Sequence, residues 1–323
     1  MKIAPFDATI FSDQTVAFMT LNQDAVSALL GRSLPDGGGD TFYNLASAGG
    51  DASRLWIQIE ASTLRADAAS LTPSFRSDAT GVDVGGDVTV AAGLRLGVAL
   101  GYDKSWLSDG DGGSANEELF RASLYGSQSL GPIGLSGAVS WAHAWDHTDR
   151  ATGAGPAVAS RTTNDLIGAI QASAPFTFSG VTASPSVGVV VSHLSGASFA
   201  EFDPVDEGAF AVTGQGVAQT FVAPFAKIGL SRAFVTSSGL TWTPDVEAGC
   251  REDPSARGGA FTLTAADGTV FYGNRAALDR GAGLLGASLT LHRNGWTLYV
   301  KYRAEVASGW TDQSFAAGLR IAF

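Results

Sequence analysis

The chain has 323 residues, of which 45% are hydrophobic, only 16% are charged and 41 are glycine, with a net charge of −11. The length is ample for a sizeable core, but the charged fraction falls well short of the quarter or so usual in soluble domains. The acidic balance excludes a nucleic-acid binder, which needs basic surface against phosphates. One cysteine excludes an internal disulfide framework and a multi-cysteine metal site, and four scattered histidines leave no histidine cluster.

No apolar run approaches the roughly 20 residues of a membrane-spanning helix; Val187 to Val191 is among the longest. The first residues are not a signal peptide, because Pro5 and Asp7 interrupt any apolar stretch. We expect the start to be a boundary cut inside a longer chain.

Residues 1–35 differ from the rest. Ser12-Asp13-Gln14-Thr15 predicts a helix start, with Asp13 near the positive end of the helix dipole. Phe18, Leu21, Ala25 and Ala28 recur at helical spacing among Asn22, Gln23, Asp24 and Ser27, and Gly31 is a candidate C-cap. A helix over about 13–30 follows. Pro35-Asp36-Gly37-Gly38-Gly39-Asp40 breaks it, and a flexible connection is expected over 36–53.

From Arg54 onward the period is two. Leu94, Leu96, Val98, Leu100 and Tyr102 alternate with Arg95, Gly97, Ala99, Gly101 and Asp103; the same pattern runs through 296–306 and 313–323. Twelve strands are predicted, near 54–63, 79–91, 94–105, 117–129, 132–146, 161–175, 181–194, 216–234, 240–250, 276–293, 296–306 and 313–323. Short connections carry turn residues, among them Asn294-Gly295, a hairpin dipeptide. Long ones cover 64–78, 106–116, 147–160, 195–215 and 251–275. Short turns at one end and long loops at the other characterise an outer-membrane barrel.

The second face of these strands separates a barrel from a soluble sandwich. It is built mostly of Gly, Ala, Ser and Thr, with isolated charges at Glu60, Asp83, Asp87, Arg95, Arg121, Lys301, Arg303 and Arg320. These are the candidate pore-lining residues of a narrow polar lumen. The apolar face then meets lipid, where the sheet must close so that no edge strands its hydrogen-bonding groups. Trp56, Trp106, Trp296 and Trp310, near strand ends, are candidates for interfacial girdles. The fold class is all-β: a twelve-stranded antiparallel transmembrane β-barrel over 54–323.

The last residues, Gly318-Leu319-Arg320-Ile321-Ala322-Phe323, resemble the terminal strand of bacterial outer-membrane proteins. Gly318, Ile321 and Phe323 match the C-terminal assembly signal, while Ala316 departs from the polar residue expected two before the glycine. Leu55-Trp56-Ile57, Gly81 to Asp87 and Trp296 to Tyr302 also resemble segments of autotransporter (type V secretion) translocator domains. The resemblance covers about 54–323. It implies a twelve-stranded barrel in the bacterial outer membrane with an N-terminal α-helix plugging the pore. It also implies an N-terminal passenger that the barrel exports and anchors, absent from this chain, and assembly by the β-barrel assembly machinery. Outer-membrane lipid and lipopolysaccharide are the expected surroundings, and a monomer without cofactor or metal is expected. Asn22 is followed by Gln23, so the Asn-Asn dipeptide at which some members cut their passenger is missing, and self-cleavage is not expected.

The expected pore helix offers Phe18, Leu21, Asn22, Asp24, Ala25 and Leu29 to the lumen. It is too short and polar to span lipid, and a helix of about 10 Å diameter fits a narrow barrel. Asp13, Asn22, Gln23, Asp24 and Arg32 could meet lumen groups such as Arg95, Arg121, Arg303 and Glu60.

Two other functions compete: a small outer-membrane channel, and an outer-membrane hydrolase with its site on the outer strand ends. A channel has no use for a plugging segment. For the hydrolase the one hint is Asp146-His147, a possible acid–base pair without a second carboxylate pair. The two histidines of His143-Ala144-Trp145-Asp146-His147 would stand roughly 13 Å apart on a strand, too far to share a metal. Gly281-Ala282-Gly283-Leu284-Leu285-Gly286 spells a dinucleotide string, but Ala287 to Arg293 continues as strand where that site needs a helix. Gly134-Leu135-Ser136-Gly137-Ala138 lacks the last glycine of a nucleophile elbow. Cys250 is a lone thiol. The acids Asp109, Asp111, Glu117 and Glu118, and Glu201, Asp203, Asp206 and Glu207, are expected as solvated loop residues, with cation bridging to lipopolysaccharide as an alternative use.

Overall fold

The computed structural model describes residues 6–33, 53–68, 72–203, 205, 208–252, 261–273 and 280–323. The expected connection over 36–53 lies outside them except for Ser53, as do Asp206, Glu207 and the side chain of Arg32. One helix, α1 (Thr9–Ser33), precedes twelve long strands. These are β1 (Ser53–Ala66), β2 (Phe75–Ala91), β3 (Leu94–Asp109), β4 (Ser114–Leu130), β5 (Ile133–Ala151) and β6 (Pro156–Ser173). Then come β7 (Val181–Gly196), β8 (Val217–Ser231), β9 (Thr241–Glu252), β10 (Gly281–Arg293), β11 (Trp296–Ala307) and β12 (Trp310–Ala322). Each pairs antiparallel with the next, and β1 pairs with β12 from Arg54↔Ala322 to Ala66↔Trp310, so the sheet closes. Every long strand has a partner on both sides, as a lipid environment requires.

Alternation sets the two faces. On β1, Leu55, Ile57 and Ile59 are exposed at 58%, 45% and 61%, while Trp56 and Gln58 are buried. The large apolar side chains point outward and the polar and small ones inward, the inverse of a water-soluble barrel. Inward glycines make room for rings on the neighbouring strand. A Cβ on Gly318 would lie 2.2 Å from the Tyr299 hydroxyl, and one on Gly97 2.3 Å from the Tyr125 ring. This use explains part of the glycine content.

Several expectations need correction. The strands of the outer half are longer than the apolar pattern suggested. β1 runs to Ala66 and β2 begins at Phe75; β3 and β4 meet across a turn at 110–113, and β5 and β6 across 152–155. Above the lipid the outward positions become polar, so periodicity in hydropathy ends before the backbone ladder does. The long connections after β7 and β9 carry short strands of their own instead. Phe199–Ala200, Val212–Gly214, Thr262–Ala265 and Val270–Tyr272 form a separate four-stranded sheet, a cap over the mouth. At the opposite end the short turns include Asn294 and Gly295, both at positive φ, as the hairpin dipeptide requires.

Two tryptophans expected in a girdle face inward. Trp56 is 5% exposed and its Nε1–H donates to the Tyr125 hydroxyl at 2.7 Å; Trp310 is 3% exposed, while Trp106 does face out. The helix begins at Thr9, earlier than Asp13, because the Asp7 carboxylate accepts from the Thr9 amide (3.0 Å) and hydroxyl (2.6 Å) as an N-terminal cap. Gly31 lies within the helix, not beyond its end.

Candidate functional site

The helix lies inside the barrel and is buried almost all round; only Ser27 and Ala28 are half-buried among the side chains described from Ala8 onward. At about 1.5 Å per residue its 25 residues extend roughly 37 Å, more than the ~30 Å hydrocarbon core. Its direction is fixed by what each end packs on. Ile10, Phe11 and Val16 join Leu64, Phe75, Leu107 and Trp310 at the long-loop mouth. Val26, Leu29 and Leu30 join Trp56, Tyr125 and Ile167 at the short-turn end. The barrel's own ends, Ser53 and Phe323, also sit at that short-turn end, hydrogen-bonded to each other.

Long loops mark the cell exterior and short turns the periplasm. The helix therefore enters from the periplasmic side at its C-terminal end and presents its N-terminus at the cell surface.

Many of the contacts between helix and wall, apolar and polar, lie on β4–β8. Midway, Phe18 and Met19 pack on Leu119, Ala142, Ala144, Leu194 and Phe221. Asn22, 0% exposed, donates through Nδ2 to Asp165 Oδ2 at 2.6 Å, and Ser192 holds the other Asp165 oxygen at 2.6 Å. Near the mouth, Arg161 Nη2 donates to the Phe11 carbonyl (3.0 Å), Gln14 Oε1 (3.3 Å) and Thr15 Oγ1 (3.2 Å). Its own position is held by Asp146 at 3.2 Å, which also accepts from Thr163 at 2.6 Å. Thr148 donates to Gln14 Oε1 at 3.1 Å. On the far side a cavity of about 50 Å³ remains between Asp24, Gln23 and Ser27 and wall residues including Lys227, Glu247, Arg251 and Asp312. That is room for a few waters.

The eight charges named from sequence all occupy inward positions of their strands. Most pair along the wall. Arg121 bridges Asp83 (3.3 Å) and Asp103 (2.7 Å), and Arg95 pairs with Asp87. Gln58 donates to Glu60 at 3.1 Å, and Arg320 to Thr297 at 3.1 Å. Lys301 faces the lumen half-buried. Arg303 does reach the helix, at the carbonyls of Asp24 and Ser27, each 3.5 Å. Phe18, Leu21, Asn22, Asp24, Ala25 and Leu29 are all buried in the lumen.

Sequence reasoning missed the wall residues that grip the helix directly, Arg161 and Asp165, and the part of Asp146 in holding Arg161. The signal was parity: 161 and 165 share the inward face with Ala157 and Ala159, and 146 with Ala142 and Ala144.

The other motifs are absorbed by the barrel. Gly281 to Gly286 lies in β10, paired with β9 throughout and with β11 from Gly283 onward. Asp146 points into the lumen while His147 is exposed on the outer face beside Ser160, so the two are not a catalytic pair. His143 contacts Asn164 on the same outer face at 2.8 Å. Glu117, Glu201 and Asp203 are not solvated: they are 2%, 0% (side chain) and 3% exposed. Glu118 does stay outside, paired with Lys104 at 3.1 Å. Cys250 is exposed, and no group of three metal-ligating side chains forms among the described residues.

A closed antiparallel barrel with an apolar exterior, a polar lumen and one N-terminal helix inside it is the form of an outer-membrane transport unit. Its sequence matches the autotransporter beta-domain over residues 55–303, more than half of the chain, and the chain belongs to that family. It is an outer-membrane translocator unit of a Gram-negative bacterium. The fold is similar to the translocator domain of NalP from Neisseria meningitidis, with TM-score 0.79 at 15% identity, covering 98% of this chain and 99% of that one. It is similar also to the beta domain of the Bordetella autotransporter BrkA, with TM-score 0.64 at 16% identity over 84% and 100% of the two chains. The transport unit of AIDA-I from Escherichia coli aligns over the full length of both, with TM-score 0.56 at 14% identity. No curated protein matches the sequence.

Proposed function

We propose that the barrel exports a passenger joined ahead of the helix, then keeps it at the cell surface with the helix as stopper, and catalyses no reaction itself. The observation behind this is the direction of the helix: its N-terminus reaches the outer mouth, so a chain continuing upstream of Phe6 starts outside the cell. Glu60, Asp83, Asp87, Arg95, Arg121, Lys301, Arg303 and Arg320 act as the polar lining along which the chain passes. Gly318, Ile321 and Phe323 form the signal read by the β-barrel assembly machinery; Ile321 and Phe323 are exposed at 49% and 68%, open to a partner. Lipid and lipopolysaccharide surround a single barrel. The test is to place an export signal and an epitope ahead of Phe6 in Gram-negative cells. The epitope should be cut by protease added to intact cells, while the barrel stays protected and heat-modifiable. An epitope retained in the periplasm beside an assembled barrel would refute export.

A further inference from the structure

The contacts of the helix fall into two groups, and the outer group is built differently from the rest. Deeper in the pore the helix packs on the barrel wall. At the mouth the cap grips it as well as the wall. Phe11 stacks on Phe199, with centroids 4.0 Å apart and planes at 29°, and Phe261 completes the cluster at 6.2 Å. Phe6, just ahead of the helix, sits edge-on to Phe210 and Phe271 at 5.9 and 6.0 Å.

One side chain joins the three bodies that meet there. Arg150, on the inner face of β5, donates from Nε and Nη2 to the two oxygens of Glu201, each at 2.7 Å. Its Nη2 also reaches the Phe210 carbonyl at 2.7 Å, and Nη1 the Asp7 carbonyl at 3.4 Å. Wall, cap and the start of the helix are thus pinned by a planar fork matched to a carboxylate. Glu201 further accepts from the Val212 amide at 2.8 Å, tying the two cap strands together. The side chains of Arg150 and Glu201 are 2% and 0% exposed, so removing one would leave the other buried and charged. The cap is fastened to the barrel by a backbone bridge, Val158 with Phe202 at 2.8 and 2.9 Å.

We propose that the cap is a latch: pinned by Arg150–Glu201, it locks the first turn of the helix and closes the mouth independently of the packing deeper in the pore. The pore then has two seals in series. During export the cap must stand open, because the aromatic cluster fills the exit; afterwards it closes on Phe6 to Phe11 and holds the chain there against a pull from outside. This goes beyond export and needs no passenger to be tested.

The test uses the full chain in detergent or liposomes, with Cys250→Ser removing the native thiol. A cysteine is placed at Ile10 (1% exposed) or, separately, at Val26 (0% exposed), and its reaction with a maleimide is timed. Glu201→Gln should speed labelling at position 10 about tenfold, the shift expected when a charge-assisted hydrogen bond is lost from a local opening. Labelling at position 26 should stay within about twofold of the parent. Gly214→Ala is the second variant and touches no charge: its Cβ would fall 2.1 Å from Phe199, displacing the ring that covers Phe11. It should give the same split, and it decides the matter if Glu201→Gln fails to give a heat-modifiable barrel. Unchanged labelling at position 10, or equal acceleration at both positions, overturns the latch; the second result would mean that the helix leaves the pore as one body.

Discussion

Removing residues 1–35 is the most direct perturbation of the pore, and the structure sets its size. The helix fills a cylinder about 10 Å wide and roughly 37 Å long, a volume of roughly 2,900 Å³, enough for about 100 waters at ~30 Å³ each. With the helix in place the cavity beside Asp24 and Arg303 is about 50 Å³. Conductance should therefore rise as the space the helix filled opens to a bore of about 10 Å. The barrel should also melt at a lower temperature. Ile10, Phe11, Phe18, Val26 and Leu30 are each at most 1% exposed against the wall and cap, and such burial contributes about 1.5–3 kcal/mol per side chain. The assay is single-channel recording in planar bilayers, with the gel-shift melting of the same preparation. Equal conductance and equal melting for the full and shortened chains would show that the helix does not occupy the pore.

Smaller changes test individual contacts. Asn22→Ala should lower stability by about 1–3 kcal/mol, because the buried Asp165 carboxylate loses its helix partner; a thermal shift below a degree would count against the contact. Gly318→Ala should force Tyr299 off its seat and break its 2.9 Å hydrogen bond to Gln58, costing about 1–3 kcal/mol. Much of that loss should return in the Gly318→Ala/Tyr299→Ala pair, and strict additivity would argue against the close packing. Leu124→Arg, at a site 64% exposed on the outer face, should destabilise the lipid-embedded barrel by about 2–4 kcal/mol. A neutral result there, measured by refolding into liposomes, would mean that this face does not meet lipid.

Strand count, the two faces and the presence of a helix followed from the sequence alone. A lipid-facing strand must alternate, and Leu94 to Tyr102 and Phe315 to Phe323 show the period without any tertiary information. The inward small residues and isolated charges were legible for the same reason. The ends of elements were not. Asp7 caps the helix through a contact two residues away, while the stronger-looking Ser12-Asp13 start lies inside a helix that the barrel wall and cap stabilise from all sides. Trp56 and Trp310 carry the residue type of a girdle, and only their parity against the closed sheet turns them inward. The same holds for Arg161, Asp165 and Arg150. Their importance comes from atoms of the helix and its N-terminal cap more than 140 residues away in sequence, and no local pattern records a distance of that kind. Alternation is a local consequence of the backbone, so the sequence determined the barrel; which charges grip the helix, and that two connections fold into a cap, depended on closing the sheet around it.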